Sequence, residues 1–142
     1  YKYYLFENID IYSMNSLERE VGRVLDTQNK VLWWFKNKPN KGWYFIQGWQ
    51  ENRIRPDFVV AKKTGENQID IIYILEAKGE HLLGNKDTEY KKKVLDLMTE
   101  QKKKDNIKKY RQLEKNKDLN DIVEFYLVEQ GEEEKFTKSL FN

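Results

Sequence analysis

The fold is predicted from residues 68–78, QIDIIYILEAK, which contain the continuous apolar run IIYIL. Such a run is typical of a strand that is buried on both faces at the centre of a sheet. Residues 54–61, IRPDFVVA, form a second strand-like run, and the cluster KKTGEN at 62–67 predicts a turn between the two. The sequence therefore predicts a hairpin at the centre of the sheet.

The segment before this hairpin predicts one helix and two further strands. Residues 16–26 carry apolar side chains at helical spacing. Residues 31–35, VLWWF, and 43–49, WYFIQGW, are short runs of β-branched and aromatic residues. Because a cluster of Asn, Lys, Pro and Gly separates these two runs, we expect two strands joined by a turn.

The segment after the hairpin predicts a helical region and a last strand. A helix begins near Asp87 or Thr88, and its apolar face later loses phase, which predicts a break around residues 104–106. Residues 122–128, IVEFYLV, indicate a strand, and the residues from 129 onward an acidic tail. This order of elements predicts an α/β (α+β) fold, in which a mixed β-sheet is flanked by helices.

The composition limits the chemistry that the chain can perform. The 142 residues correspond to a single domain, 1–142, and 35% of them are charged. The absence of cysteine and the presence of one histidine disfavour disulfide frameworks, thiolate zinc sites and Ser-His-Asp triads. Since the sequence shows neither a membrane span nor a signal-peptide pattern, we expect a cytoplasmic protein with no membrane partner. The start at Tyr1, without an initiator methionine, predicts a domain of a longer polypeptide.

Two acidic residues lie on neighbouring predicted strands, where a buried strand normally carries none. Asp57 precedes the apolar part of one strand, and Glu76 ends the most apolar run of the chain. The predicted hairpin brings them level, and Lys78 projects from the same face as Glu76 because strand side chains alternate. Two carboxylates suit Mg²⁺, and the lysine suits a role at an attacking water. The alternative is structural, with Asp57 in a turn and Glu76 paired with Lys78.

At this point the sequence resembles the PD-(D/E)XK nuclease superfamily, and within it the C-terminal endonuclease domain of the Res subunit of type III restriction enzymes. The resemblance covers about residues 5–100 and implies a restriction-endonuclease-like fold. The segments that carry it are Met14-Asn15-Ser16-Leu17-Glu18, Val31-Leu32-Trp33-Trp34-Phe35-Lys36-Asn37, Arg55-Pro56-Asp57-Phe58-Val59-Val60, Ile74-Leu75-Glu76-Ala77-Lys78-Gly79 and Asn85-Lys86-Asp87-Thr88-Glu89-Tyr90-Lys91.

The resemblance implies a role for each residue of the central motif. It implies that Asp57 and Glu76 bind a divalent cation, Mg²⁺ with Mn²⁺ as a substitute, and that the Ala77 carbonyl adds a ligand. It also implies that Lys78 acts on the nucleophilic water. The expected reaction is Mg²⁺-dependent hydrolysis of DNA phosphodiester bonds, which makes the chain an endodeoxyribonuclease.

The resemblance also implies a further catalytic acid on the first helix. Glu18 and Glu20 both flank its apolar face, and we prefer Glu18, because the family's acid commonly opens a Glu-Arg-Glu-like stretch. The implied setting is prokaryotic, with double-stranded DNA as substrate, an upstream ATP-dependent translocase domain and a modification and recognition subunit. The alternatives are a nuclease of DNA repair or junction resolution, and a nuclease-like module that binds nucleic acid without cutting it.

Positive charge is concentrated in one segment, although the net charge of the chain is only +2. Residues 91–111 carry nine basic and three acidic side chains. Such a segment is either an electrostatic footprint for a phosphate backbone or a solvated helix face. Lys91, Lys92 and Lys93 are the nearest of these lysines to Lys78 in sequence, so we expect them to contact DNA.

Overall fold

The structure is a computed structural model that describes residues 1–38, 45–51, 53–79, 86–103 and 123–142. The predicted helix break around 104–106 lies outside the described residues. A short 3₁₀ turn, Ile11–Ser13, precedes the first helix. The helices and strands are, in chain order, α1 (Ser16–Asp26), β1 (Val31–Lys36), β2 (Phe58–Thr64), β3 (Gln68–Lys78), α2 (Lys86–Lys103), β4 (Val123–Glu129) and α3 (Glu133–Leu140).

The four strands form one mixed sheet in the order β1-β2-β3-β4. The β1–β2 and β2–β3 pairs are antiparallel, and β3 pairs with β4 in parallel. The predicted α/β mixed fold and the predicted hairpin from β2 to β3 are thus confirmed. The apolar run of β3 lies inside the sheet, with a strand on each side, as its composition requires.

The strand predicted at 43–49 is wrong within the described residues. Residues 45–51 contain one isolated bridge, from Ile46 to Ile54, and β1 pairs with β2 instead of forming a hairpin with this segment. The reason is tertiary packing, since Trp49 places its ring edge-on against Tyr90 of α2, with 5.0 Å between ring centroids. Aromatic composition alone does not separate such packing from a strand.

Two other predicted elements differ from those in the structure. The strand predicted over 54–61 begins only at Phe58, because Pro56 just before it has no N–H to give to a sheet ladder. The predicted acidic tail forms helix α3 instead. Phe136 and Leu140 of that helix pack against the core, so its spaced apolar residues outweigh the acidic composition of the tail as a whole.

The core lies on both faces of the sheet, because the side chains of β3 alternate between them. Leu75 belongs to the cluster beneath α1 and α3, whereas Ile74 belongs to the cluster beneath α2. Trp34 of β1 is fully buried in the first cluster. No helix among the described residues is long and apolar enough to cross a membrane.

Candidate active site

The β2–β3 register brings Asp57 beside the end of β3. Phe58, the first residue of β2, pairs with Leu75, so Asp57 just before this strand lies level with Glu76. The Oδ2 atom of Asp57 accepts a hydrogen bond of 2.8 Å from the backbone N–H of Ala77. The structure therefore places the Asp57 carboxylate at the sheet end that also carries Glu76 and Ala77, as the hairpin predicted.

Glu76 is a buried carboxylate held between two lysines. Its Oε1 atom lies 3.2 Å from Lys78 Nζ and 3.0 Å from Lys91 Nζ, and its exposed fraction is 2%. Its Oε2 atom is buried and has no hydrogen-bond partner in the described part of the chain. Burial and repulsion from Asp57 raise the pKa of Glu76, although Lys91 and Lys78 act in the opposite direction.

Helix α1 contributes a third carboxylate to the site, that of Glu18. Asn15 caps α1 and forms a capping box with Glu18, in which Glu18 Oε2 accepts from the Asn15 N–H at 2.8 Å. This fixes the carboxylate at the helix N-terminus, where its other oxygen faces the cleft. Glu20 instead pairs with Arg23 on the exposed face of the helix. Of the two candidate acids, Glu18 is the one that lines the site.

Lys36 forms salt bridges with two of the acids, Glu18 of α1 and Asp57 just before β2. Its Nζ atom lies 3.2 Å from Glu18 Oε1 and 3.0 Å from Asp57 Oδ1, and its side chain is buried. Burial acts to lower the pKa of Lys36, but the two carboxylates outweigh it and raise that pKa. Lys36 was not among the site residues predicted from the sequence. The feature that could have indicated it is a lysine at the end of an otherwise apolar strand.

These residues line one cleft of about 580 Å³. Three acids and three lysines meet there. Lys36 pairs with both Glu18 and Asp57, and Lys78 and Lys91 both pair with Glu76, so each carboxylate has an ammonium group beside it. Arg53 and Arg55, which were not predicted as site residues, also line the cleft. The sequence feature that could have indicated them is the alternation of Arg, Ile, Arg and Pro just before Asp57.

The donor set fits a magnesium ion that keeps several water ligands. Asp57 and Glu76 repel each other, and Glu76 Oε2 is buried with no hydrogen-bond partner among the described residues; a shared cation relieves both conditions. No group of three acidic or histidine side chains in the described ranges is arranged to enclose a metal by itself. Mg²⁺ does not require one, because one or two carboxylates with waters and substrate oxygens complete its octahedron.

The three lysines expected to contact DNA are divided by the structure. Lys91 lies in the cleft, where it pairs with Glu76 at 3.0 Å and with Asp87 at 3.5 Å. Lys92 and Lys93 are exposed on α2 and are not among the residues that line the cleft. Lys91 therefore contacts the carboxylate cluster and Lys92 and Lys93 are exposed to solvent, and the contact of these three lysines with DNA stays a prediction.

Comparisons of the chain with protein-family models, with curated proteins and with solved structures found no match. The function of the cleft is therefore inferred from its own residues.

Proposed function

We propose that this chain is a Mg²⁺-dependent endodeoxyribonuclease domain that hydrolyses the phosphodiester bonds of double-stranded DNA. The observation that carries the proposal is the meeting of Asp57, Glu76 and Lys78 at one sheet end, with Glu18 facing them from α1. Two carboxylates with a lysine two residues after the second one provide both a cation site and a group for the attacking water.

Each residue of the cleft has a separate task in the proposed reaction. Asp57 and Glu76 would hold Mg²⁺, which, when bound, supplies Lewis-acid stabilisation of the phosphoryl oxygen and acidifies a bound water. Lys78 lies beside Glu76 Oε1 and would orient the attacking water through its ammonium group. The Ala77 N–H fixes one oxygen of Asp57, so that the carboxylate keeps its direction before the substrate arrives.

Lys36 and Lys91 would act as positioning residues. They neutralise Asp57, Glu18 and Glu76 while the cation site forms, which limits the electrostatic cost of burying three acids together. A pure nucleic-acid-binding module gains little from such acids, because they repel the phosphates of its ligand. The carboxylate cluster therefore favours hydrolysis over binding alone.

The finer proposal is a role as the cleavage domain of a type III restriction enzyme. It is supported by the ordered segments that resemble that family, and it implies a prokaryotic cytoplasmic protein with a translocase domain and a modification subunit as partners. A nuclease of repair or junction resolution would use the same cleft. Cleavage of a linear duplex compared with a four-way junction distinguishes these substrates.

A cleavage assay on supercoiled plasmid DNA with Mg²⁺ tests the proposed function. We expect the wild-type chain to nick or linearise the plasmid, and the variant Glu18→Gln to lose this activity. Glu20→Gln is the matched control, since it removes a carboxylate from the same helix outside the cleft. Equal activity of the two variants would remove Glu18 from the mechanism, and an inactive wild-type chain would contradict the proposal.

A further inference from the structure

Among the described residues, the arginines of the cleft differ from its lysines in having no acidic partner. Lys36, Lys78 and Lys91 each lie within 3.2 Å of a carboxylate oxygen. Arg53 and Arg55 line the same cleft but form no salt bridge with any residue in the described ranges. Among the described residues that line the cleft, the three lysines balance the three acids, so the net positive charge of these residues comes from the two arginines.

The backbone holds both arginines on one side of their segment. Ile54 lies between them and is buried, and it exchanges two backbone hydrogen bonds of 2.7 and 2.8 Å with Ile46. In an extended segment successive side chains point to opposite sides, so Arg53 and Arg55 point away from the buried Ile54. The bridge to Ile46 therefore fixes the position of the pair.

An exposed aromatic ring supports the two guanidinium groups. The Cζ atom of Arg53 lies 4.3 Å from the centroid of the Phe45 ring, and that of Arg55 lies 5.8 Å from it. The ring is 43% exposed, although Phe45 adjoins the buried Ile46. A guanidinium held against a ring retains N–H donors at its edge, where they can bind both oxygens of a phosphate.

We propose that Arg53 and Arg55 form a phosphate-binding subsite for the DNA backbone next to the reacting phosphodiester. This inference rests on the proposed function and extends it by naming the residues that hold the substrate. Arg55 precedes Asp57 by two residues, so the subsite adjoins the acids of the cleft. A duplex must approach these acids, and paired lysines offer it little attraction. The two arginines, which have no acidic partner in the described ranges, supply that attraction and a bidentate geometry.

Binding of a fluorescent DNA duplex over a series of salt concentrations tests the subsite. The measurement is made with chelator, so that no strand is cut during the titration. We expect the double variant Arg53→Gln/Arg55→Gln to bind more weakly and to lose about 0.9 of the salt slope for each phosphate contact removed. The variant Arg53→Lys/Arg55→Lys keeps the charge, and we expect it to retain the slope while losing part of the affinity.

The matched control is Arg23→Gln/Lys135→Gln, which removes two positive charges from exposed ion pairs outside the cleft. Equal slopes for this control and the arginine double variant would overturn the subsite, as would a wild-type chain that shows no salt-dependent binding. If the arginines carry the slope but Mg²⁺ produces no cleavage, the proposed hydrolysis fails and the subsite stands. If cleavage is observed and the double variant binds like the control, the subsite fails and the hydrolysis stands.

Discussion

Asp26 and Glu76 are two carboxylates that sit in opposite electrostatic surroundings in the same small domain. Asp26 ends α1 and accepts hydrogen bonds from the backbone N–H groups of Lys2 and Tyr3 and from the indole N–H of Trp34, at 2.7, 2.8 and 3.1 Å. Burial acts to raise the pKa of Asp26, but these donors outweigh it and lower that pKa. The ionised carboxylate is thus the stable form, and it ties the N-terminal segment to the sheet.

Glu76 has two lysines near one oxygen and no partner for the other among the described residues. Burial and the neighbouring Asp57 raise the pKa of Glu76. The folded chain therefore satisfies the carboxylate of Asp26 and leaves that of Glu76 incompletely stabilised. Incomplete stabilisation of a buried acid is typical of a site that awaits a ligand, whereas complete stabilisation is typical of a structural contact.

The largest expected effect distinguishes the two carboxylates by activity. We expect Glu76→Gln to lower the rate of Mg²⁺-dependent cleavage by about a hundredfold or more, because it removes one of the two proposed carboxylate ligands of the cation. We expect Asp26→Asn to leave the rate unchanged at a temperature at which it is folded. Single-turnover cleavage of a labelled duplex measures both rates. Equal losses of cleavage rate in the two variants would mean that Glu76, like Asp26, has a structural role.

The second prediction concerns stability and its dependence on pH. Asp26→Asn should lower the free energy of unfolding by about 1 kcal/mol at neutral pH, since it weakens charge-assisted hydrogen bonds at a partly exposed group. Because the folded pKa of Asp26 lies below the unfolded value of about 3.9, its contribution is complete above that value. It is lost as the pH falls through the folded pKa.

Urea unfolding of the wild type and Asp26→Asn at neutral pH and near pH 3 measures this contribution. The difference in stability between the two proteins should shrink at the acidic pH, as the carboxylate of the wild type becomes protonated. A difference that is constant with pH would mean that the charge of Asp26 contributes nothing.

The third prediction is that removing the charge of Glu76 raises the stability of the fold, whereas removing the charge of Asp26 lowers it. Its folded pKa lies above the unfolded value, so ionisation at neutral pH opposes folding when no metal is added. Glu76→Gln should therefore raise the melting temperature of the metal-free chain by a few degrees, as is common when an incompletely stabilised active-site charge is removed. Thermal unfolding monitored by circular dichroism in chelator tests this. A lower melting temperature would show that the pairs with Lys78 and Lys91 stabilise the fold.

Parts of this contrast could be predicted from the sequence, because short-range patterns position some of the residues. Strand alternation and the turn at 62–67 are enough to place Asp57, Glu76 and Lys78 together. Lys36 could not be placed in the same way. Its position between two acids depends on the pairing of β1 with β2 across 21 residues of chain, and the aromatic run at 43–49 predicted another partner.

Asp26 and Arg53 show the same limit in different ways. The role of Asp26 depends on the N-terminal segment returning to β1, and no local pattern reports that contact. Arg53 depends on a single bridge and on the ring of Phe45, both of which lie outside the regular sheet. Helix α3 was not predicted, because a short segment that opens with Glu132, Glu133 and Glu134 resembles a solvated tail until the core beneath it is known.

The smallest expected effect is on Mg²⁺ affinity, and it distinguishes two adjacent lysines, of which only Lys91 contacts Glu76. Lys91→Gln removes an ammonium 3.0 Å from Glu76 Oε1, so a competing cation is lost and we expect Mg²⁺ affinity to rise a few-fold. Lys92→Gln is exposed on the same helix, and we expect it to leave Mg²⁺ affinity unchanged. Titrations with Mg²⁺ monitored by tyrosine and tryptophan fluorescence give both constants. Equal affinities for the two variants would separate Lys91 from the cation site.

Calorimetric titration of Mg²⁺ into the wild type, Asp57→Asn and Lys78→Ala tests whether Asp57 and Glu76 hold a metal ion between them. We predict that the wild type binds Mg²⁺, that Asp57→Asn loses this binding, and that Lys78→Ala binds as well as the wild type or slightly better, because a positive charge beside the cation is removed. Absence of binding to the wild type at millimolar Mg²⁺, or unchanged binding in Asp57→Asn, would contradict a metal site shared by Asp57 and Glu76.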